Sequence, residues 1–231
     1  QRGVVIKTDE EIEIMRTAGR INALALEAVR EMIRPGVTTA ELDAVAEEVI
    51  CDHKGIPAFK GYPGPYPYPA TLTVSINEAL VHGIPDKREL RSGDIVSVDC
   101  GTIYEEFVGD SAFTIGVGEV SEEAKRLMQV TEKALYIGIK EMRPGNRVGD
   151  ISAAIQGWVE SHGYHVPRQY SGHGVGREMH EAPQVPNYGR AGRGLALQPG
   201  MTLAVEPMIL IGTHKTRVLS DQWTVVSHDG S

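Results

Sequence analysis

The stretch LRSGDIVSVD at residues 90–99 decides the fold, because it returns later in the chain as LQPGMTLAVE at residues 197–206. In both copies a turn containing glycine precedes a short apolar run that ends on a carboxylate, Asp99 in the first and Glu206 in the second. Such a run after a turn predicts a β-strand. The constant offset of 107 residues (197 minus 90) indicates two related halves.

The residues before each strand repeat as well. A first amphipathic helix is predicted after the N-cap pair Thr8-Asp9, ending at Pro35-Gly36, and a second follows Thr38. Residues 121–166 show the same order of two helices, interrupted at Pro144-Gly145. The repeat therefore covers helices and strand together.

This repeat predicts a mixed α/β (α+β) fold in a single catalytic domain over residues 1–231, a length that one domain can reach. The duplicated halves, about 9–115 and 121–231, are each expected to be a helix-helix-strand unit. Packed around a curved antiparallel sheet about a pseudo-twofold axis, they would bring Asp99 and Glu206 together at facing strand ends.

The composition restricts the class of protein and its partners. With 23 Lys and Arg against 31 Asp and Glu, the net charge of −8 argues against a nucleic acid held by a general electrostatic field. The apolar fraction of 41% is that of an ordinary globular protein, and no stretch approaches a membrane span. Two cysteines cannot form a disulfide framework, so we predict a cytoplasmic protein with Cys51 and Cys100 as buried fillers, Cys100 facing away from Asp99.

Four residues together predict a metal centre. Asp110 follows Asp99 by eleven residues, so a hairpin could return it beside Asp99, and two adjacent carboxylates repel each other unless a cation neutralises them. His173 lies between two glycines, and Glu206 adds a third carboxylate. Ligation by Asp, Glu and His without thiolate suits Mn(II), Fe(II), Co(II) or Zn(II), and such sites often hold two ions about 3.5–4 Å apart.

The residues alone do not decide the roles of two further histidines and one loop. His82 and His180 each lie in a turn rich in glycine or proline, where a catalytic and a structural role are equally consistent. The segment 61–69 is dense in proline and tyrosine, which fits a rigid surface loop or a pocket wall.

The ordered set of motifs resembles the type I methionine aminopeptidases closely, from the first helix to beyond Trp223. The matching segments are VSINE (74–78), HGIP (82–85), GDIV (93–96), GD (109–110), GHGVG (172–176), HE (180–181) and EPM (206–208). The resemblance implies the pita-bread fold and removal of the initiator methionine from nascent polypeptides with a small second residue.

By the same resemblance, two divalent metal ions would be held by Asp99, Asp110, His173 and Glu206. His82 and His180 would contact the substrate amide and stabilise the tetrahedral intermediate, and Glu206 would also act as general base. The residues that fall where the family lines its methionine pocket are Phe59, Tyr62, Tyr68, Thr73, Met179 and Trp223. The implied partner is the N-terminus of a nascent polypeptide near the ribosome. We expect a monomer that binds neither a membrane nor a specific nucleic acid.

The chain departs from the family pattern at several places. Thr73 stands where many type I members have cysteine, Met179 replaces a more usual aromatic residue, and Gly64–Pro67 looks like a short insertion. The family's fifth ligand, a glutamate on a final strand, is not reached by Ser231, so we expect that a C-terminal strand is missing. Without it, we expect weaker binding of at least one metal and lower activity. Asp221 and Asp229 lie in turn-like contexts and are not assigned as ligands.

Other functions fit the sequence less well. A proline-specific relative, an Xaa-Pro aminopeptidase or prolidase, shares the ligands but typically carries an extra N-terminal domain, and a type II enzyme carries a helical insertion. A non-catalytic pita-bread module that binds peptides would generally have lost its ligands, whereas four are kept here. A structural Ca(II) site fits poorly, because histidine is an unusual ligand for a hard ion.

Overall fold

The structure is a computed structural model that describes residues 3–231. Its helices are α1 (Asp9–Met32), α2 (Thr39–Asp52), α3 (Glu122–Glu141) and α4 (Val148–Ser161). Its strands are β1 (Ile56–Pro57), β2 (Leu72–Ile76), β3 (Ala79–Val81), β4 (Ile95–Tyr104), β5 (Phe107–Gly116), β6 (Ser171–Gly174), β7 (Glu181–Pro186), β8 (Leu203–Ala204), β9 (Thr216–Val218) and β10 (Val225–Ser227). The predicted α/β class is confirmed.

The helices begin where their capping residues predict. The Thr8 hydroxyl accepts the backbone N–H of Glu11 at 3.2 Å, while the Glu11 carboxylate accepts the N–H of Thr8 at 3.0 Å. Thr38 and Glu41 form the same reciprocal capping box before α2. Each box satisfies N–H groups that the first turn of a helix leaves unpaired.

The described residues form two compact units, each with its own apolar core. The N-terminal unit comprises residues 13–125 and 217–226, and the C-terminal unit comprises 3–12, 126–216 and 227–231. The first core is built on α1, α2, β2 and β4, and the second on α3, α4 and the segments around β7 and β8. The duplication of halves 9–115 and 121–231 stays a prediction.

The strands form antiparallel sheets. In the N-terminal unit, β4 pairs with β5 along one edge and with β2 and β1 along the other. A second sheet has the order β3-β10-β9. In the C-terminal unit, β6 lies between β7 and β8. No helix in the described part of the chain is long and apolar enough to cross a membrane.

Two predictions of local structure were wrong. The apolar run was expected to end at Asp99, but β4 continues to Tyr104, because residues 100–104 also pair with β5. The reversal comes at Glu105–Glu106, where positive φ angles of 45° and 69° suit a two-residue hairpin turn.

Cys51 was expected to be buried but is exposed, whereas Cys100 is buried as predicted. The buried positions of α2 include Leu42, Ala46 and Ile50, four residues apart. Cys51 follows Ile50 and is therefore turned about 100° away from the core.

Candidate metal centre

The β4–β5 hairpin carries two of the predicted ligands. Asp99 pairs with Ala112 and Gly101 with Asp110, so the two aspartates lie diagonally on the same face of the ladder. The predicted return of Asp110 by a hairpin is confirmed, with an offset of two residues between the carboxylates. Thr73 of β2 lies opposite Asp99 on its other side.

A buried asparagine that the sequence interpretation missed fixes this hairpin. Asn22 of α1 is fully buried and donates through Nδ2 to the Cys100 carbonyl at 2.8 Å and to the Ser111 hydroxyl at 2.9 Å. Its side-chain oxygen accepts the hydroxyl of Thr102 at 2.8 Å. The sequence did contain a signal for Asn22, because a polar residue next to Ile21 on the apolar face of a predicted helix indicates a buried hydrogen bond.

Cys100 lies on the opposite face from Asp99 and belongs to the apolar core. Burial raises the pKa of its thiol, and the negative charges of Asp99 and Asp110 raise that pKa further. The thiol therefore stays protonated, and the candidate metal face of the hairpin carries no thiol.

His173 is held on β6 by close approach of the neighbouring strands. A Cβ atom on Gly172 would lie 2.2 Å from the Ala204 carbonyl oxygen, and one on Gly174 would lie 2.3 Å from the Ala182 oxygen. Glycine is therefore required on both sides of this histidine. The predicted close backbone approach is confirmed, and the His173 side chain is buried.

The contact between His173 and Glu206 fits a bound cation. His173 Nδ1 lies 2.8 Å from the Gly174 carbonyl oxygen, which can only accept, so Nδ1 carries the proton. In the neutral form of this ring, Nε2 presents a lone pair to Glu206 Oε1 at 2.8 Å, a buried oxygen that accepts no hydrogen bond within residues 3–231. Two such acceptors repel unless they share a positive centre, and ligand atoms about 2.0–2.2 Å from one ion lie this close together.

The two remaining histidines occupy defined positions. The His180 ring lies in the C-terminal unit, 4.3 Å from the His173 ring between centroids. His82 follows β3 with a positive φ of 61°. The next residue, Gly83, is joined to β2 through its carbonyl, which accepts the Val74 N–H at 2.8 Å.

An aromatic cluster surrounds Trp223 in the N-terminal unit. Its indole lies 5.1 Å from the Tyr68 ring, 6.1 Å from the Tyr66 ring and 6.5 Å from the His82 ring between centroids, with each ring nearly perpendicular to it. Tyr66, from the predicted insertion, also donates its hydroxyl to the Asp221 carbonyl at 2.8 Å. Segment 61–69 thus packs on Trp223 beside His82.

The other predicted pocket residues differ in exposure. Tyr68, Thr73 and Met179 are buried, while Phe59 and Tyr62 are half-buried. Burial raises the pKa of the Tyr68 hydroxyl, which donates to the carbonyls of Leu72 and Gly83. Met179 belongs to the C-terminal unit, and the other four belong to the N-terminal unit.

The two acidic residues near the C-terminal end act locally, in agreement with their turn-like contexts. The Asp221 carboxylate accepts the N–H groups of Trp223 and Thr224, each at 2.9 Å. The Asp229 carboxylate accepts the hydroxyl of Ser231 at 2.7 Å. Both side chains therefore stabilise turns.

Comparison with known proteins places the chain in a family. The model of metallopeptidase family M24 matches residues 13–227. The chain belongs to metallopeptidase family M24. It is therefore a member of a family of metal-dependent hydrolases, and within its C-terminal unit His173 and Glu206 belong to a candidate metal-binding group.

The relatives within M24 differ in their degree of similarity. The chain is 52% identical to the methionine aminopeptidase of Clostridium acetobutylicum, over 99% of this chain and 90% of the relative. The methionine aminopeptidase structure from Thermotoga maritima is 48% identical, with a TM-score of 0.96 over 99% of this chain and 91% of that one. The Xaa-Pro dipeptidase of Bacillus anthracis is 28% identical, with a TM-score of 0.76 over 96% and 57%. The predicted pita-bread fold is confirmed.

Proposed function

We propose that this M24 member is an aminopeptidase that removes the N-terminal methionine from polypeptides whose second residue is small. The observation that carries the proposal is the 52% identity, over 99% of the chain, to a protein named methionine aminopeptidase. The Xaa-Pro dipeptidase is less similar, and this chain spans only 57% of it.

Asp99, Asp110, His173 and Glu206 are the proposed ligands of two divalent ions. Their oxygen and imidazole donors suit Mn(II), Co(II), Fe(II) or Zn(II) better than Ca(II). When bound, such ions would polarise the substrate carbonyl and lower the pKa of water. The contact of His173 Nε2 with the buried Glu206 Oε1 supports this assignment.

Protein side chains would supply the proton transfers and the hydrogen bonds. Glu206 is the proposed general base, because its side chain is 36% exposed although Oε1 is buried, which leaves the carboxylate accessible to the proton of an attacking water. His82 and His180 are the proposed donors to the substrate amide and to the oxygen of the tetrahedral intermediate. Both offer ring nitrogen donors, and the residue after each is held by a strand, Gly83 by the Val74 N–H and Glu181 by its pairing with Gly174.

The proposed methionine pocket is mainly apolar. A thioether side chain packs well against aromatic edges and against another methionine, because sulfur is polarisable and the chain is unbranched. The proposed lining consists of Phe59, Tyr62, Tyr68, Thr73, Met179 and Trp223. The ring contacts of Trp223 with Tyr68 and His82 support a pocket wall in this region.

The same activity suggests where the protein works. A nascent polypeptide N-terminus as substrate favours a cytoplasmic monomer acting near the ribosome, without a membrane or a specific nucleic-acid partner. The two cysteines are free thiols, as is usual in a reducing compartment.

The test is a comparison of three peptides with the purified chain in Mn(II) or Co(II). We expect methionine release from Met-Ala-Ser, much slower release from Met-Lys-Ser, and no cleavage of Ala-Pro. The variant His173→Ala serves as the inactive control. Preferred cleavage of Ala-Pro would favour the proline-specific alternative, and peptide binding without cleavage under any metal would favour a non-catalytic module.

A further inference from the structure

A buried ion pair lies beside the loop between β6 and β7, residues 175–180, which ends at His180. The Lys7 ammonium, just before α1, is 2.5 Å from Glu181 Oε2, and the two side chains are only 2% and 10% exposed. Glu181 is the residue after His180 and the first of β7. Because a buried charge is costly unless its partner is held in place, this pair fixes the distance between the N-terminal segment and the start of β7.

Lys7 is itself anchored to the strand that leads to Glu206. Its backbone N–H donates to the Gly200 carbonyl at 2.8 Å, in the turn before β8. Its ammonium also approaches the Val5 carbonyl at 3.5 Å. Lys7 therefore connects the turn before Glu206 with the residue that follows His180.

The loop between β6 and β7 is shaped around this pair. A Cβ atom on Gly176 would lie 2.5 Å from Glu181 Oε1 and 2.5 Å from Lys7 Cε. The same Glu181 oxygen accepts the backbone N–H of Glu178 at 3.3 Å. The pair thus contacts the loop that runs from His173 to His180.

We propose that Lys7 is a positioning residue for His180, acting through its ion pair with Glu181. The pair holds the end of the loop so that the His180 ring stays beside the His173 ring, 4.3 Å away between centroids. The inference rests on the proposed function, because His180 is the group whose placement it sets. A displacement of about 1 Å at such a group lowers a rate by about 100-fold.

The first experiment separates kcat from KM in the metal-loaded protein with Met-Ala-Ser. We expect Lys7→Met to lower kcat by about 10- to 100-fold while KM changes by less than about threefold. Lys125→Met is the matched control, because it removes the same charge from an exposed pair with Glu122, and its kcat should equal that of the unchanged protein. An unchanged kcat in Lys7→Met would overturn the proposal.

The double variant Lys7→Met with Glu181→Met decides the case in which Lys7→Met alone fails to fold. Replacing both partners of a buried ion pair by apolar residues of similar size often preserves stability. We expect a thermal midpoint near that of the unchanged protein together with a kcat that stays low. Recovery of kcat along with stability would show that the pair has only a structural role.

A third measurement does not depend on turnover. In the Zn(II)-loaded protein with labelled histidine rings, the NMR signal that disappears in His180→Gln should move or broaden in the double variant. An unmoved signal would overturn the positioning role. Failure of the unchanged protein to release methionine would instead contradict the proposed function, so the two failures are distinguishable.

Discussion

Single buried residues determine the chemistry available on each face of the β4–β5 hairpin. Asp99 and Asp110 share one face, while Cys100 points into the core, where burial raises the pKa of its thiol. Because a thiol reacts as the thiolate, a raised pKa and burial both make Cys100 unreactive. The exposed Cys51 has no such protection from reagents.

We therefore predict that one thiol per chain reacts rapidly with a disulfide reagent at pH 8, and that the second reacts only after unfolding. The colour that the reagent releases with the native and with the denatured protein gives the number of reactive thiols in each state. The Cys51→Ser variant should lose the rapid phase. Two rapid thiols in the native protein would contradict the burial of Cys100.

Asn22 shows how a residue distant in sequence supports the candidate ligands. We predict that Asn22→Ala lowers the free energy of unfolding by about 2–4 kcal/mol, because it removes two buried hydrogen bonds and a partly buried one and leaves the Cys100 carbonyl and the Thr102 hydroxyl unsatisfied. Mn(II) binding should weaken as well, because the hairpin held by Asn22 carries Asp99 and Asp110. Denaturant unfolding and calorimetry measure the two effects.

Arg20→Ala, an exposed change two residues earlier on α1, is the control and should alter stability by less than about 0.5 kcal/mol. If Asn22→Ala behaves like this control, the hydrogen bonds of Asn22 do not stabilise the hairpin.

For single residues, the sequence predicts a functional role where the neighbouring residues form a recognisable motif. The flanking glycines mark His173 in the sequence, and the structure explains them, because a Cβ atom at either position would lie 2.2 or 2.3 Å from a backbone oxygen. Asn22 and Lys7 were missed because their partners, Cys100 and Glu181, are 78 and 174 residues away. No local pattern marks a pairing over such a distance.

Among the elements, the β2–β3 region shows how a backbone contact places His82, a candidate catalytic histidine. A Cβ atom on Gly83 would lie 2.1 Å from the Val74 carbonyl oxygen and 3.1 Å from Ser75 Cα, both backbone atoms. His82 precedes this glycine, so its position depends on the close approach to β2.

We predict that Gly83→Ala destabilises the protein by about 1–3 kcal/mol and lowers kcat, because β2 and the residue after His82 must separate. Gly157→Ala is the matched control, since a Cβ atom there meets nothing within 4 Å and alanine favours the α4 helix by about 0.5–1 kcal/mol. Thermal unfolding and kcat for methionine release test both variants. Equal behaviour of the two variants would contradict the assigned contact.

Element boundaries were predicted well where capping residues define them and poorly where pairing does. Thr38 with Glu41 marks the start of α2 in the sequence, and the structure confirms it. The end of β4 was placed at Asp99, whereas the ladder with β5 extends it to Tyr104. Strand length depends on a partner strand, which the residues of one strand do not reveal.

For the whole molecule, the internal repeat predicted the α/β class and the motifs predicted the family, and both are confirmed. The motifs succeed because metal ligation and close backbone contacts require particular residues at fixed places along the chain. The pairing of the N-terminal segment with β7 could not be foreseen, because it joins residues that are 174 positions apart in the sequence.

The metal dependence of methionine release tests the central claim most directly. After chelation we predict no release from Met-Ala-Ser, recovery when Mn(II) is added, and no recovery in His173→Asn. These results follow if His173 and the three carboxylates hold the ions that activate water. Release that persists after chelation and in His173→Asn would contradict the account.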